Sequence, residues 1–124
     1  MPLGSTMQKH VSLREAAATK YPELVHIVLV QGQDGICNAM AASWVMFTSI
    51  DPMMMAVSVG FERYTHDLLK AAGEFIIAFP SVNMSEDTRL FGSESGRDMH
   101  KLEQGQVATQ PAVAVRGRLL SDAV

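Results

Sequence analysis

The 124-residue sequence holds one cysteine, Cys37, which rules out an internal disulfide and the paired-cysteine spacing of a zinc finger. A reducing compartment suits that composition, and a cytoplasmic location is expected. Lys and Arg are nowhere clustered and the net charge is -3 with His neutral, so the electrostatic footprint of a nucleic-acid binder is missing. The longest apolar run, Leu24 to Val30 interrupted by His26, falls far short of the roughly 20 residues of a membrane helix. No membrane span is expected, and the N-terminus lacks the pattern of a secretory signal. A catalytic triad, an HExxH motif, a paired-carboxylate signature and a GxGxxG fingerprint are all lacking. His10, His26, His66 and His100 are too scattered to suggest a metal site.

What is present is a globular balance, 48% hydrophobic and 19% charged, which is too apolar for disorder. The length suits one domain with a core of ordinary size. Residues 1–8 are expected to be a tag or disordered start, with Met1 to Ser5 a vector remnant and Met7 the natural start, and residues 9–124 form the domain. The nine methionines, three consecutive at Met53 to Met55, suit adaptable packing in a core or interface. Cys37 is expected to be a small buried hydrophobe.

Helix formers over residues 9–20 stop before Tyr21-Pro22, because the residue preceding proline is pushed out of the helical region. Leu24 to Gln31, the turn Gly32-Gln33-Asp34-Gly35 and Ile36 to Phe47 read as a hairpin. Met53 to Val59 reads as a third strand, and all three are expected to be neighbours in one sheet. A helix is expected over Arg63 to Ala72, with Thr65 as its N-cap and Gly73 as its stop. Glu74 to Phe79 returns to strand, Met84 to Leu90 and residues 95–104 read as short helices, and Ala112 to Leu120 as a fifth strand with Gly117 as a possible bulge.

Three segments carry candidate chemistry. In Asn38-Ala39-Met40-Ala41-Ala42-Ser43-Trp44 most side chains are too small to fill a sheet face. They suit either tight packing against a helix or a flat ligand, such as a flavin ring, bonded through exposed peptide groups. In Ser58-Val59-Gly60-Phe61-Glu62-Arg63-Tyr64-Thr65-His66 a strand ends in glycine and a helix begins beside a cation. That arrangement favours a phosphate, the plain alternative being a capped helix with a solvated arginine. In Ser93-Glu94-Ser95-Gly96-Arg97-Asp98 a hydroxyl and an arginine stand at another helix start, where Arg97 either reaches an anion or pairs on the surface with Asp98 or Glu94.

Taken in order, Asn38 to Trp44, Ser49-Ile50-Asp51-Pro52, Ala56 to Val59, Arg63-Tyr64-Thr65-His66, Gly73-Glu74-Phe75 and Ser95-Gly96-Arg97-Asp98 followed by Lys101 resemble the flavin reductase-like, FMN-binding split-barrel family, which includes flavoredoxins. The match runs from about Ile27 to about Gln104. The resemblance implies a mainly β fold with short helices, a six-stranded Greek-key type split barrel, working as a homodimer with FMN at the subunit interface. It places the segment of Asn38, Met40, Ala41, Ala42, Ser43 and Trp44 along the isoalloxazine edge. Ser58, Arg63, Thr65 and His66 fall around the phosphate, and Ser95 and Arg97 near the flavin or its ribityl tail. NADH or NADPH is the implied electron donor, and free flavin, a partner oxygenase or another acceptor receives the electrons. No catalytic side chain is implied, since a flavin carries the redox chemistry itself.

The sequence departs from the family at Met53, where a second proline is common, at Phe91, where many members carry cysteine, and at Ala78-Phe79-Pro80, which replaces an Asn-apolar-Pro ending. It also lacks the family's last strands, so the chain reads as C-terminally short, with weaker FMN binding expected than in an extended version. The alternatives are an FMN-binding or electron-carrier protein without catalysis, and a fragment with impaired flavin binding. A haem or deazaflavin user on the same barrel is disfavoured by Asn38 to Trp44.

Overall fold

Strand β1 (His26–Gln31) is buried at five consecutive positions, His26 to Val30. A strand covered on both faces needs an unbroken apolar run, which is what this segment supplies. In the computed structural model, which describes residues 8–124, β1 lies between β2 (Cys37–Ala42) and β5 (Ile76–Ala78), antiparallel to both. The expected tag therefore falls, Gln8 apart, outside the described residues. The turn between β1 and β2 closes where Gly32 N–H donates to Ile36 O at 2.9 Å and Ile36 N–H to Asp34 Oδ1 at 3.0 Å. Gly35, with φ +83, takes the left-handed position that a side chain would strain.

Two expectations fail at the end of β2. The strand expected to run to Phe47 breaks at Ser43-Trp44 into β2 and β3 (Val45–Ile50), and β3 pairs with β4 (Met53–Val57) in a separate sheet. The three strands are therefore not neighbours in one sheet. The physical reason is length: Ala42 pairs with His26, the first residue of β1, so beyond Ala42 there is no partner left to bond. β4 also ends two residues early, leaving Ser58 and Val59 in a loop.

The first helix, α1, spans Leu13–Ala18 and is closed by a reciprocal capping box between Ser12 and Glu15. Helix α2 (Tyr64–Ala72) begins at Arg63 without a side-chain cap, and ends at Gly73, φ +70, as expected. Thr65 is not the cap. It is buried inside the first turn, where its hydroxyl accepts from Asn38 Nδ2 at 3.0 Å. A 3-10 turn at Val82–Met84 leads into α3 (Ser85–Ser93), longer than expected. The helix expected over residues 95–104 shrinks to α4 (Lys101–Gln104), because Asp98 and Met99 both donate to Ser95 O and form a turn instead. The expected fifth strand is a small hairpin of β6 (Thr109–Pro111) and β7 (Arg118–Leu120), with Gly117, φ +144, at the return rather than in a bulge.

The core gathers Ile27, Leu29 and Ala39 of the central sheet with Met84 and Phe91 around α3, and Val107 and Leu120 from the C-terminal segments. Cys37 joins it, and burial pushes its thiol pKa up. Strands and short helices mix as the family likeness implies. The seven strands lie in sheets of three, two and two, with no closed barrel among the described residues. No helix there is long and apolar enough to cross a membrane, and no cluster of metal-ligating side chains occurs among the described residues.

Candidate functional site

A cleft of about 460 Å³ opens where the end of β2, the start of α2 and the end of α3 meet. Its floor is Met40, Ala41, Ala42, Ser43 and Trp44, at the bend where the chain leaves the central sheet. The floor stays open because Ala41, Ala42 and Ser43 are small and because α3 approaches with Gly92, where a Cβ would stand 3.1 Å from Ala41 Cβ. Opposite lie Ser58, Gly60 and the α2 start with Arg63 and Thr65. Ser95 and Arg97 close a third side. Gly96 lets that third side fit, since a Cβ there would collide with Asn38 Oδ1 and the Tyr64 ring.

The fold thus brings ten of the twelve candidate residues to one cleft and leaves out Asn38 and His66. Asn38 acts behind the wall, through its bond to Thr65. Because the Thr65 oxygen accepts from the Asn38 amide, the hydroxyl hydrogen remains free to donate elsewhere. His66 is not part of the lining: its ring packs edge-on against Phe61 with centroids 5.0 Å apart, and Nδ1 stands 3.7 Å from Asp67 Oδ1.

Charge gathers at the α2 end. The first-turn N–H groups of α2 have no side-chain cap, and the Arg63 side chain is 64% exposed with Glu62 3.9 Å away as its only ion-pair partner among the described residues. Arg97 has a different task. Its guanidinium donates to Glu62 O at 3.4 Å, lies 5.5 Å over the Tyr64 ring and stands 4.0 Å from Asp67, so it straps the third side to the α2 start. Ser95 Oγ accepts from Arg97 N–H at 3.2 Å and shapes the same turn.

Sequence reasoning gave no role to Lys101, which is only 4% exposed and part of the cleft wall. Its Nζ donates to Phe91 O at 2.9 Å, and among the described residues no carboxylate lies within ion-pair distance. Burial, and then the nearby Arg63, lower its pKa, while Glu94 acts the other way. An ammonium with three donors and one carbonyl partner is a buried charge short of an anion. Its only sequence signal was its place after the Ser95 to Asp98 motif. Glu62 and Glu94 also line the cleft unforeseen.

The volume falls within the about 300–1,000 Å³ usual for a small-ligand site. A floor centred on small side chains at one end and two cations, Arg63 and Lys101, with a helix N-terminus at the other suit an elongated ligand with a flat ring and an anionic tail.

Comparison with known proteins points the same way. The flavin reductase like domain matches residues 18–124. An uncharacterized protein of Pyrococcus abyssi is 34% identical over 104 residues, which cover 84% of this chain and 59% of that protein. Another, from Archaeoglobus fulgidus, is 39% identical over 54% of this chain and 38% of its own. Among solved structures, flavoredoxin of Desulfovibrio vulgaris (Miyazaki F) superposes with a TM-score of 0.80 at 26% identity, covering 94% of this chain and 62% of that one. An FMN-binding protein of Thermus thermophilus, solved with 1-cyclohex-2-enone bound, gives 0.75 at 26% identity, covering 95% and 63%. The chain therefore spans about three fifths of these two structures, and less of most of the curated relatives it matches. By the match over residues 18–124, the chain belongs to the family of the flavin reductase like domain.

Proposed function

We propose that the chain is a flavoprotein which holds FMN in this cleft and serves as the flavin-carrying part of an oxidoreductase, with NADH or NADPH as electron donor. The observation that carries the reading is the convergence, in one cleft, of the small-residue floor of β2 with Arg63, Lys101 and the uncapped start of α2. Neither half alone selects a flavin, but a flat ring joined to a phosphate uses both. FMN rather than another flavin is supported by the likeness to the Thermus FMN-binding protein.

The residues divide the work. Ala41, Ala42 and Ser43 let a ring approach the peptide groups of the bend, where backbone N–H and C=O bond its edge. Arg63, the first-turn N–H groups of α2, the free hydrogen of Thr65 and the Lys101 ammonium hold the phosphate, and Ser58 adds a hydroxyl. Arg97 and Ser95 hold the wall in shape. When bound, the flavin supplies hydride and electron transfer, and the protein supplies binding and orientation.

The apolar β3–β4 hairpin supports a homodimer. Ile50 is 85% exposed and Met53 65%, and the run continues through Trp44 into the cleft floor. A second copy packed on the hairpin would bury that surface and cover the open side of the cleft. The likeness to flavoredoxin also favours electron transfer to a protein or flavin acceptor, such as a partner oxygenase, as a second reading. Adding NADH or NADPH anaerobically to the FMN-loaded protein separates the two. Bleaching of the flavin's visible absorbance is the expected result. A flavin that binds, stays oxidised with either nucleotide and is reduced by dithionite marks an electron carrier instead.

A further inference from the structure

We infer that Asp87 is a positioning residue for the anion end of the cleft: its carboxylate fixes the one-turn helix α4 and with it the place of the Lys101 ammonium. The inference rests on the phosphate reading above and goes beyond it to a side chain that lies outside the cleft wall.

Asp87 sits in the first turn of α3 and is 6% exposed. Its two oxygens accept the backbone N–H groups of Gln106 and Val107, each at 2.7 Å. Short bonds from two consecutive amides to one ionised carboxylate make a strong and directional clamp. The clamp grips the chain immediately after α4, which ends where Gly105 N–H donates to Lys101 O. Gly105 makes the approach possible, because a Cβ there would stand 3.0 Å from Asp87 Oδ1. Four residues, Lys101 to Gln104, cannot hold a helix by themselves. They pack against β2, and α3 grips them twice, through Asp87 and, one turn further along, through Phe91 O and the Lys101 Nζ. A lysine stem gains nothing from carrying its charge inward unless something prevents it from swinging out to water. The Asp87 clamp supplies that restraint.

The test compares FMN with riboflavin, which lacks the phosphate, in equilibrium titrations of the wild type, Lys101→Met, Asp87→Asn and Gly105→Ala, with a thermal unfolding curve for each. Lys101→Met and Asp87→Asn are each expected to weaken FMN roughly 10-fold and riboflavin less than about twofold. Gly105→Ala, which crowds the clamp without removing a charge, falls between them and the wild type. A purely structural clamp would lower the unfolding temperature and weaken both flavins by the same factor. That result for Asp87→Asn and Gly105→Ala, beside a selective loss in Lys101→Met, overturns the positioning role and leaves the phosphate reading standing. An unchanged FMN-to-riboflavin ratio in Lys101→Met overturns the phosphate reading, and the inference with it. If Asp87→Asn does not fold, a folded Gly105→Ala with the wild-type ratio is sufficient to overturn the role.

Discussion

Ile27, Val28, Leu29 and Val30 of β1 have no exposed surface, whereas Met46, Phe47, Ile50 and Met53 of the β3–β4 hairpin are 59–85% exposed, although both segments are apolar and both are strand. What separates them is the number of neighbours. β1 has a strand on each side and α2 packed against it, while β3 and β4, among the described residues, have only each other as strand neighbours. Burial follows from pairing, and an apolar strand pair without a cover is a surface for a partner. The cleft lies on the boundary between the two regions, with its cation end set by the buried half and its floor running out through Trp44 to the uncovered one.

Breaking the buried half has the largest expected effect. Leu29→Ala leaves a cavity in the core and is expected to cost about 2–5 kcal/mol in a denaturant unfolding curve. A loss below about 1 kcal/mol would mean that β1 is not the centre of the fold. The hairpin answers a different measurement. Ile50→Glu is expected to change unfolding free energy of the monomer by no more than about 0.5 kcal/mol, since the side chain touches little within its own chain. In light scattering with FMN present at micromolar concentration it is expected to turn a dimer into a monomer. A wild-type chain that is already monomeric under those conditions refutes the partner surface.

The apolar run of β1, the glycine turn after it and the Gly73 stop were legible because each depends on its own few residues. The break after Ala42 was not, since it depends on where the partner strand begins, 16 residues earlier at His26. Thr65 read as a cap by position, yet Asn38, 27 residues away, claims its hydroxyl. The same holds for the site. The small residues of β2 and the cation before α2 announced themselves locally, and the cleft unites them. His66 shares the first turn of α2 with Thr65, but its ring packs on Phe61, a contact set by the loop before the helix. Lys101 looks like any solvated lysine in sequence, and its burial comes from α4 packing on β2 with its Nζ bonded to Phe91 O of α3. Features set by one segment were readable, and features set by the meeting of two were not.

The central claim, a phosphate held at the start of α2 beneath a ring lying on the β2 bend, is tested most directly by titrating FMN and riboflavin into the wild type and Arg63→Ala. The account predicts that the wild type binds both and prefers FMN, and that Arg63→Ala loses roughly 10-fold in FMN affinity while its riboflavin affinity stays within about twofold. Equal losses for the two ligands, or a wild type that binds neither, would contradict it.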